Sequence, residues 1–282
     1  MTVLAKIGGH AVGDGQRLLL IAGPCVMESE AQALAHARKV KALAEKHGVN
    51  AVFKASFDKA NRSSGKSYRG IGLEKALAAF EAVKRETGLP CTTDVHETWQ
   101  AEPAGKVVDV LQIPAFLCRQ TDLVLACARH GRSVSIKKGQ FLAPKEMRHA
   151  VAKCAEVGQK DVLLMERGAT FGYGNLVVDM RSLVIMRELG VPVCLDATHS
   201  VQLPGSGGDT TGGERQYVAP LARAAAAVGI DALFTEIHED PSVAKSAGPN
   251  SLDFAMADAA VTDVPADPLT VQIGVDIDRP TL

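Results

Sequence analysis

Short apolar runs alternate along this chain with longer stretches whose apolar residues recur every three or four positions. The first run, 18–22, predicts a strand that Gly23-Pro24-Cys25 breaks. Ser29 with Gln32 reads as a capping box, and Leu34, Ala37, Val40 and Ala44 carry the helix on to Gly48. Residues 51–55 predict the second strand. Leu73, Leu77, Phe80 and Val83 mark the next helix, closed by Gly88 and Pro90. Runs at 91–95, 107–113, 133–137, 162–166, 193–196 and 232–236 complete eight strands, with helical stretches between them. The clearest of the later helices spans 214–228 and ends at Gly229.

Strand and helix alternating about eight times mean a parallel sheet. A chain of this length favours closure, because a barrel leaves no sheet edge to protect and eight units fill it. A doubly wound open sheet is the alternative, but normally uses fewer strands. The polar residues argue for closure too. Each predicted strand delivers polar or charged side chains just after its C-terminal end, the face where barrels carry function. The expected fold is therefore α/β, a (β/α)8 TIM barrel forming one catalytic domain over 1–282. A short N-terminal extension, 1–17, is expected to form a small hairpin or lid under it. Residues 253–261 predict a short eighth helix, and 263–282 an extended tail with a strand at 270–277.

Composition narrows the function. The 282 residues are 46% hydrophobic and 22% charged, and 31 basic against 32 acidic residues leave a net charge of −1. That balance recruits neither nucleic acid nor an anionic membrane. No apolar run approaches the ~20 residues that span a bilayer, and the N-terminus lacks a signal-peptide core. Six scattered cysteines without a C-x-x-C pair read as free thiols in a reducing compartment, so the expected location is the cytoplasm.

Seven cations fall at or just beyond strand ends: Lys54, Lys59, Arg62, Arg119, Lys137, Lys138 and Arg167. Any one alone reads as a solvated charge. Gathered in one bowl they would repel one another without anions, and small phosphorylated or carboxylated metabolites fit that need. Asn61, Arg62, Ser63 and Ser64 put amide, guanidinium and hydroxyl donors in a single loop, a phosphate cradle. Cys25, His199 and Glu236 end the first, seventh and eighth strands, neighbours in a closed barrel. Thiolate, imidazole and carboxylate suit a divalent metal such as zinc or iron. On spacing alone, a buried thiol and a hydrogen-bonded loop histidine explain them better. The glycine-rich stretch 205–213 reads as a mobile active-site loop as readily as a phosphate grip.

Long blocks of this sequence resemble the 3-deoxy-D-manno-octulosonate 8-phosphate synthase family. They are 53–64 (F-K-A-S-F-D-K-A-N-R-S-S), 93–97 (T-D-V-H-E), 112–123 (Q-I-P-A-F-L-C-R-Q-T-D-L), 137–141, 166–168 with 171–173, and 196–200. The likeness runs from about residue 21 to 252, and A-N-R-S-S separates this family from its sister, the heptulosonate phosphate synthases. The resemblance implies a transferase that condenses phosphoenolpyruvate with D-arabinose 5-phosphate and water and releases phosphate, for lipopolysaccharide synthesis. A related synthase using another aldose phosphate, and a silent barrel that only binds phosphometabolites, are the alternatives.

By that resemblance Lys54, Lys59, Arg119, Lys137 and Arg167 grip phosphoenolpyruvate, and Asn61, Arg62 and Ser63 grip the sugar phosphate. Ser64, Gln112 and Lys138 join the substrate-binding set. Asp94, His96 and His199 join Lys54, Lys59 and Lys137 as catalytic residues, with Asp94 and His96 set for proton transfer or water positioning. The family's metal-dependent branch carries Cys where this chain has Cys25, which implies a divalent metal (Zn, Fe or Mn) on Cys25, His199 and Glu236. The fourth ligand is an Asp that Ala247 replaces here, so a weakened site is expected. The implied assembly is a homotetramer.

Overall fold

The structure, a computed structural model, describes residues 3–62, 64–207 and 210–266. The predicted strand at 270–277, most of the tail and Ser63 lie outside the described residues. A hairpin comes first, β1 (Leu4–Ile7) paired antiparallel with β2 (His10–Gly13). Eight parallel strands then close a barrel in the order β3 (Leu19–Gly23), β4 (Asn50–Lys54), β5 (Cys91–Asp94), β6 (Val110–Ile113), β7 (Val134–Lys137), β8 (Val162–Glu166), β11 (Val193–Asp196) and β14 (Ala232–Glu236), which pairs back to β3. The two-stranded ribbons β9 (Ala169–Thr170) with β10 (Leu176–Val177) and β12 (Gln202–Gly207) with β13 (Thr210–Gly213) rise from the loops after β8 and β11. Helices α1 (Glu30–His47), α2 (Leu73–Thr87), α3 (Thr98–Val107), α4 (Thr121–His130), α5 (Arg148–Glu156), α6 (Arg181–Arg187), α7 (Val218–Val228) and α8 (Phe254–Thr262) follow the barrel strands one for one.

The fourth strand starts at Val110 rather than 107, because α3 keeps Val107 in its last turn. At the start of α1, Ser29 Oγ accepts from Gln32 N at 3.1 Å. The reciprocal bond of the expected capping box is displaced by one residue, since Gln32 Oε1 accepts from Glu28 N at 3.0 Å. Gly48 ends the helix in the left-handed region, φ 64°, with its N–H on the Ala44 and Glu45 carbonyls.

Strand alternation sorts the side chains into two cores. Leu20 and Ala22 on β3, with Leu18 just before it, Val134 and Ile136 on β7 and Leu164 on β8 face out and pack under the helices. Leu19, Ile21, Val52, Val110, Leu163, Met165, Cys194, Ala232 and Phe234 face in and fill the barrel. Ala5, Ile7 and Val12 of the hairpin belong to this inner core, so the extension plugs the barrel's N-terminal end. Lys6 N on Asp161 Oδ1 at 2.7 Å and Gly8 N on Ser133 Oγ at 3.2 Å pin it there. Gly23 permits the closure between β3 and β4, because a Cβ at that position would stand 2.0 Å from the Lys54 carbonyl oxygen.

Candidate active site

Two residues further along five of the inward rows, the apolar filling ends and polar chemistry begins. Val52 leads to Lys54, Val110 to Gln112, Met165 to Arg167, Cys194 to Asp196 and Phe234 to Glu236. Lys54, Gln112, Arg167 and Glu236 floor a cavity of about 760 Å³ at the C-terminal mouth, with Asp196 buried just beneath it. The six predicted catalytic residues, Lys54, Lys59, Asp94, His96, Lys137 and His199, all line it. So do Asn61, Arg62, Gln112 and Arg167 of the predicted substrate-binding set, and Cys25 and Glu236.

Three predicted residues do not line it. Lys138 has the parity of Val134 and Ile136, so it points away from the mouth, contrary to its expected contact with substrate. It is buried with its Nζ 3.3 Å from the Gly139 and Leu142 carbonyl oxygens and 3.5 Å from Glu166 Oε2. Arg119 is exposed and lines a separate groove beyond Leu117. Ser64 is half-buried and accepts a long bond, 3.4 Å, from Lys66 N.

The floor is a compact lattice of paired charges. Lys54 is 1% exposed and donates to Glu236 Oε1 at 2.7 Å and to the Cys25 carbonyl at 2.8 Å. Lys137 donates to Asp196 Oδ2 at 2.5 Å, with His199 Nδ1 2.7 Å from that same oxygen. Lys137 also lies 4.0 Å over the Phe234 ring. Burial alone would raise the Asp196 carboxyl, but His199 and Lys137 hold it far below the usual range. Burial likewise works against the Glu236 carboxylate, and His199, Lys54, Lys59 and Lys137 overcome it. Burial pushes His199 down, with Asp196 and Glu236 opposing. Burial also pushes Lys137 down against Asp196.

Arg167 is buried and donates through Nη2 to Gln202 Oε1 at 2.5 Å, while its Nη1 has no partner among the described residues. An unpaired buried guanidinium nitrogen is costly unless an anion meets it. Across the cavity, His96 Nε2 stands 3.0 Å from Asp94 Oδ2, and the far atoms of the pair, Asp94 Oδ1 and His96 Nδ1, are unpartnered. Burial would raise Asp94, yet Lys59, His96 and Lys54 hold it well below the ordinary carboxylate value, so it is ionised.

The candidate metal donors meet only in part. Glu236 Oε2 is buried and unpartnered, and His199 Nε2 lies 3.6 Å from Glu236 Oε1, as two ligands of one cation would. The Cys25 thiol instead donates to Ser246 Oγ at 2.9 Å, and burial, then Glu236, push its pKa up. The adjacent Ala247 supplies only a methyl. Among the described residues no three His, Cys, Asp or Glu side chains converge to hold a metal ion. As they stand, these residues do not fit a closed metal site.

Sequence reasoning gave no site role to several polar cavity residues, among them Gln140, Gln202, Arg215 and Lys245. Gln140 lies in the 137–141 block, and the other three lie in no strand-end motif. Arg215 follows the β12–β13 ribbon and holds the Gly248 carbonyl through Nη2 at 2.6 Å.

A closed barrel whose mouth gathers buried lysines, arginines and one poised carboxylate belongs to the class of enzymes that act on small anions. More narrowly, the chain belongs to the DAHP synthetase I family, whose model matches residues 2–264. Curated relatives include the 2-dehydro-3-deoxyphosphooctonate aldolase of Syntrophotalea carbinolica, 58% identical over 88% of this chain and 89% of that protein. The enzyme of the same name from a Synechococcus strain is 55% identical over 93% of each chain. That from Fusobacterium nucleatum is 53% identical over 88% of this chain and 89% of its own. No helix among the described residues is long and apolar enough to cross a membrane.

Proposed function

We propose that this protein joins phosphoenolpyruvate to D-arabinose 5-phosphate, making 3-deoxy-D-manno-octulosonate 8-phosphate and inorganic phosphate. The observation that carries the reading is a division of the cavity into two anion poles around the Asp94–His96 pair. Lys54, Lys59, Lys137 and Arg167 make the deep pole, and Arg167 Nη1 is left free there for an anion. The phosphate and carboxylate of phosphoenolpyruvate belong in it. Asn61 and Arg62 stand at the rim, on the exposed loop between β4 and α2, and take the aldose phosphate.

With both ligands so held, C3 of the enolpyruvate attacks the aldehyde carbon. The new C–C bond uses the enol π pair, and the aldehyde oxygen takes up a proton as it becomes a hydroxyl. Water then adds at C2, and Asp94, oriented by His96, accepts the proton that water loses. The hemiketal phosphate collapses with C–O cleavage, so phosphate leaves carrying the bond's electron pair. The deep cations stabilise the charge that grows on it. A carboxylate base of this kind is worth ~10²–10⁴ in rate. Asp94→Asn should therefore lose at least about 100-fold in kcat while both ligands still bind.

No step here runs through a metal. The divalent cation implied for Cys25, His199 and Glu236 enters this reading only as a weakly held ion. On the same reading the chain is a single catalytic domain that works as a homotetramer in the cytoplasm. Phosphate release from phosphoenolpyruvate with a panel of aldose phosphates tests the function. Turnover with erythrose 4-phosphate and none with arabinose 5-phosphate would overturn it. A monomer in sedimentation analysis would overturn the tetramer.

A further inference from the structure

Three loops of the cavity mouth meet at one side chain that no motif marks. Lys245 lies on the loop from β14 to α8 and lines the cavity rim. Its backbone N–H donates to Glu28 Oε1 at 3.0 Å, just before α1. Its carbonyl accepts from Arg62 Nη2 at 2.8 Å, on the β4–α2 loop. The ammonium sits 4.5 Å from the centroid of the Tyr68 ring, on that same loop. The Tyr68 carbonyl accepts from Arg62 Nε at 2.9 Å, and its hydroxyl bonds to the Met27 carbonyl at 3.3 Å. Lys245 and Arg62 are thus braced side by side on one ring and two carbonyls.

The charges around them are unequal. Two of the deep lysines are matched by a close carboxylate, Lys54 by Glu236 at 2.7 Å and Lys137 by Asp196 at 2.5 Å, while Lys59 lies deep in the cavity on Ser56 Oγ at 2.7 Å. Lys245 has only Glu28 Oε2, at 3.9 Å, and its side chain is half-exposed. Arg62 gives Nε and Nη2 to carbonyls and keeps its remaining N–H groups for a ligand. Arg215, on the same rim, is held on the Pro249 and Gly248 carbonyls and makes no hydrogen bond with Arg62 or Tyr68 among the described residues. A doubly charged phosphate ester at Arg62 needs a second cation, and Lys245 is the one held beside it with little charge of its own to satisfy.

We propose that Lys245 is a further substrate-binding residue: its ammonium, carried on the Tyr68 ring, is the second cation for the aldose phosphate and makes the site select phosphorylated over neutral aldoses. This rests on the reading that the rim pole holds a sugar phosphate. Lys245→Met keeps the stem over Tyr68 and both backbone bonds, and removes only the charge. KM for arabinose 5-phosphate should rise about 10-fold or more, the loss of one charge-assisted hydrogen bond. KM for phosphoenolpyruvate should stay within about two-fold, and Lys245→Arg should recover most of the loss. Equilibrium binding of arabinose 5-phosphate by calorimetry gives the same comparison without turnover. An unchanged sugar-phosphate KM and Kd in Lys245→Met overturns the proposal and leaves the parent function standing. Equal rises in both KM values also overturn it, because they mark a loop-building role. Wild-type protein that binds no arabinose 5-phosphate overturns both.

Discussion

Lys137 and Lys138 are adjacent in sequence and opposite in consequence, and Lys138→Met separates them. The Lys138 ammonium is 1% exposed and stands 3.5 Å from Glu166 Oε2, a carboxylate that is itself buried. Removing one partner of a buried pair typically costs about 3–5 kcal/mol, since the survivor is left charged and unsolvated. Glu166 has an escape. Burial already pushes its carboxyl up, with Lys138 and the Gly168 and Arg167 amides opposing. Without Lys138 it can take up a proton instead. At pH 7 that costs at most the distance from an ordinary carboxyl at 4.5, about 3.4 kcal/mol at ~1.36 kcal/mol per unit. The expected loss is therefore about 2–3.4 kcal/mol at pH 7, a fall in Tm of about 4–14 °C. A raised carboxyl binds its proton more tightly folded than unfolded, so the penalty relative to wild type shrinks as pH falls, to about 1.4 kcal/mol or less at pH 5.5. Urea titrations at pH 7 and 5.5 measure this directly. Glu166→Gln added to Lys138→Met should recover much of the loss at pH 7. Activity per folded molecule should fall less than about 10-fold, whereas Lys137→Met should lose at least about 100-fold. A penalty that is the same at both pH values, or a selective rise in KM for phosphoenolpyruvate, would refute the reasoning and return Lys138 to the substrate.

Other expectations follow from single contacts. Dialysed wild-type protein should hold well under one divalent ion per chain by mass spectrometry. Ala247→Asp, which adds a carboxylate beside the Ser246 that touches Cys25, should raise that content, and equal metal in wild type and Cys25→Ala would retire the site. Ala247 is the sole non-glycine residue at positive φ among the described residues, 54°, so Ala247→Gly should stabilise the fold by about 1 kcal/mol in denaturant titrations; a loss would show that the backbone there is not strained. His36 is buried, with Nδ1 on the Gln32 carbonyl and Nε2 accepting from Glu239 N, and burial lowers its pKa below 6.5. The unfolded chain takes up that proton first, so stability should fall as pH drops below about 6.5, by up to about 1.4 kcal/mol per unit; an unchanged slope in His36→Asn would exclude this source.

Much of the barrel was legible because its parallel strands are buried on both faces and read as short apolar runs between helical periods. The spans 162–166, 193–196 and 232–236 coincide with β8, β11 and β14 for that reason. The ribbons were not legible. The stretch 202–213 looks like a loop in composition, since glycine and serine give no period-two pattern, yet its backbone pairs as β12 and β13. Helix α3 hides behind an internal Pro103 and few long apolar residues.

The site was read through a coarser rule than the sequence supports. Treating each strand end as a source of polar groups put Lys137 and Lys138 in one bowl. The run Ser133-Val134-Ser135-Ile136-Lys137 already assigns Ser, Ser and Lys to one face and Val and Ile to the other. Lys138 must follow Ile136 outward, and Glu166 must follow Leu164, so the two charges that leave the mouth meet behind it. Parity therefore predicts which charged residues at a barrel's rim pair with each other and which face the ligand. It has no purchase beyond the strand ends. Arg119 lies past a short turn at Ala115–Leu117, and Lys245 and Arg215 are placed by carbonyls of distant loops. The deep anion pole is written in strand alternation, but the rim pole is built by tertiary contacts between loops. On the proposed reading, selectivity for the second substrate is lodged in the part of the site that sequence pattern constrains least.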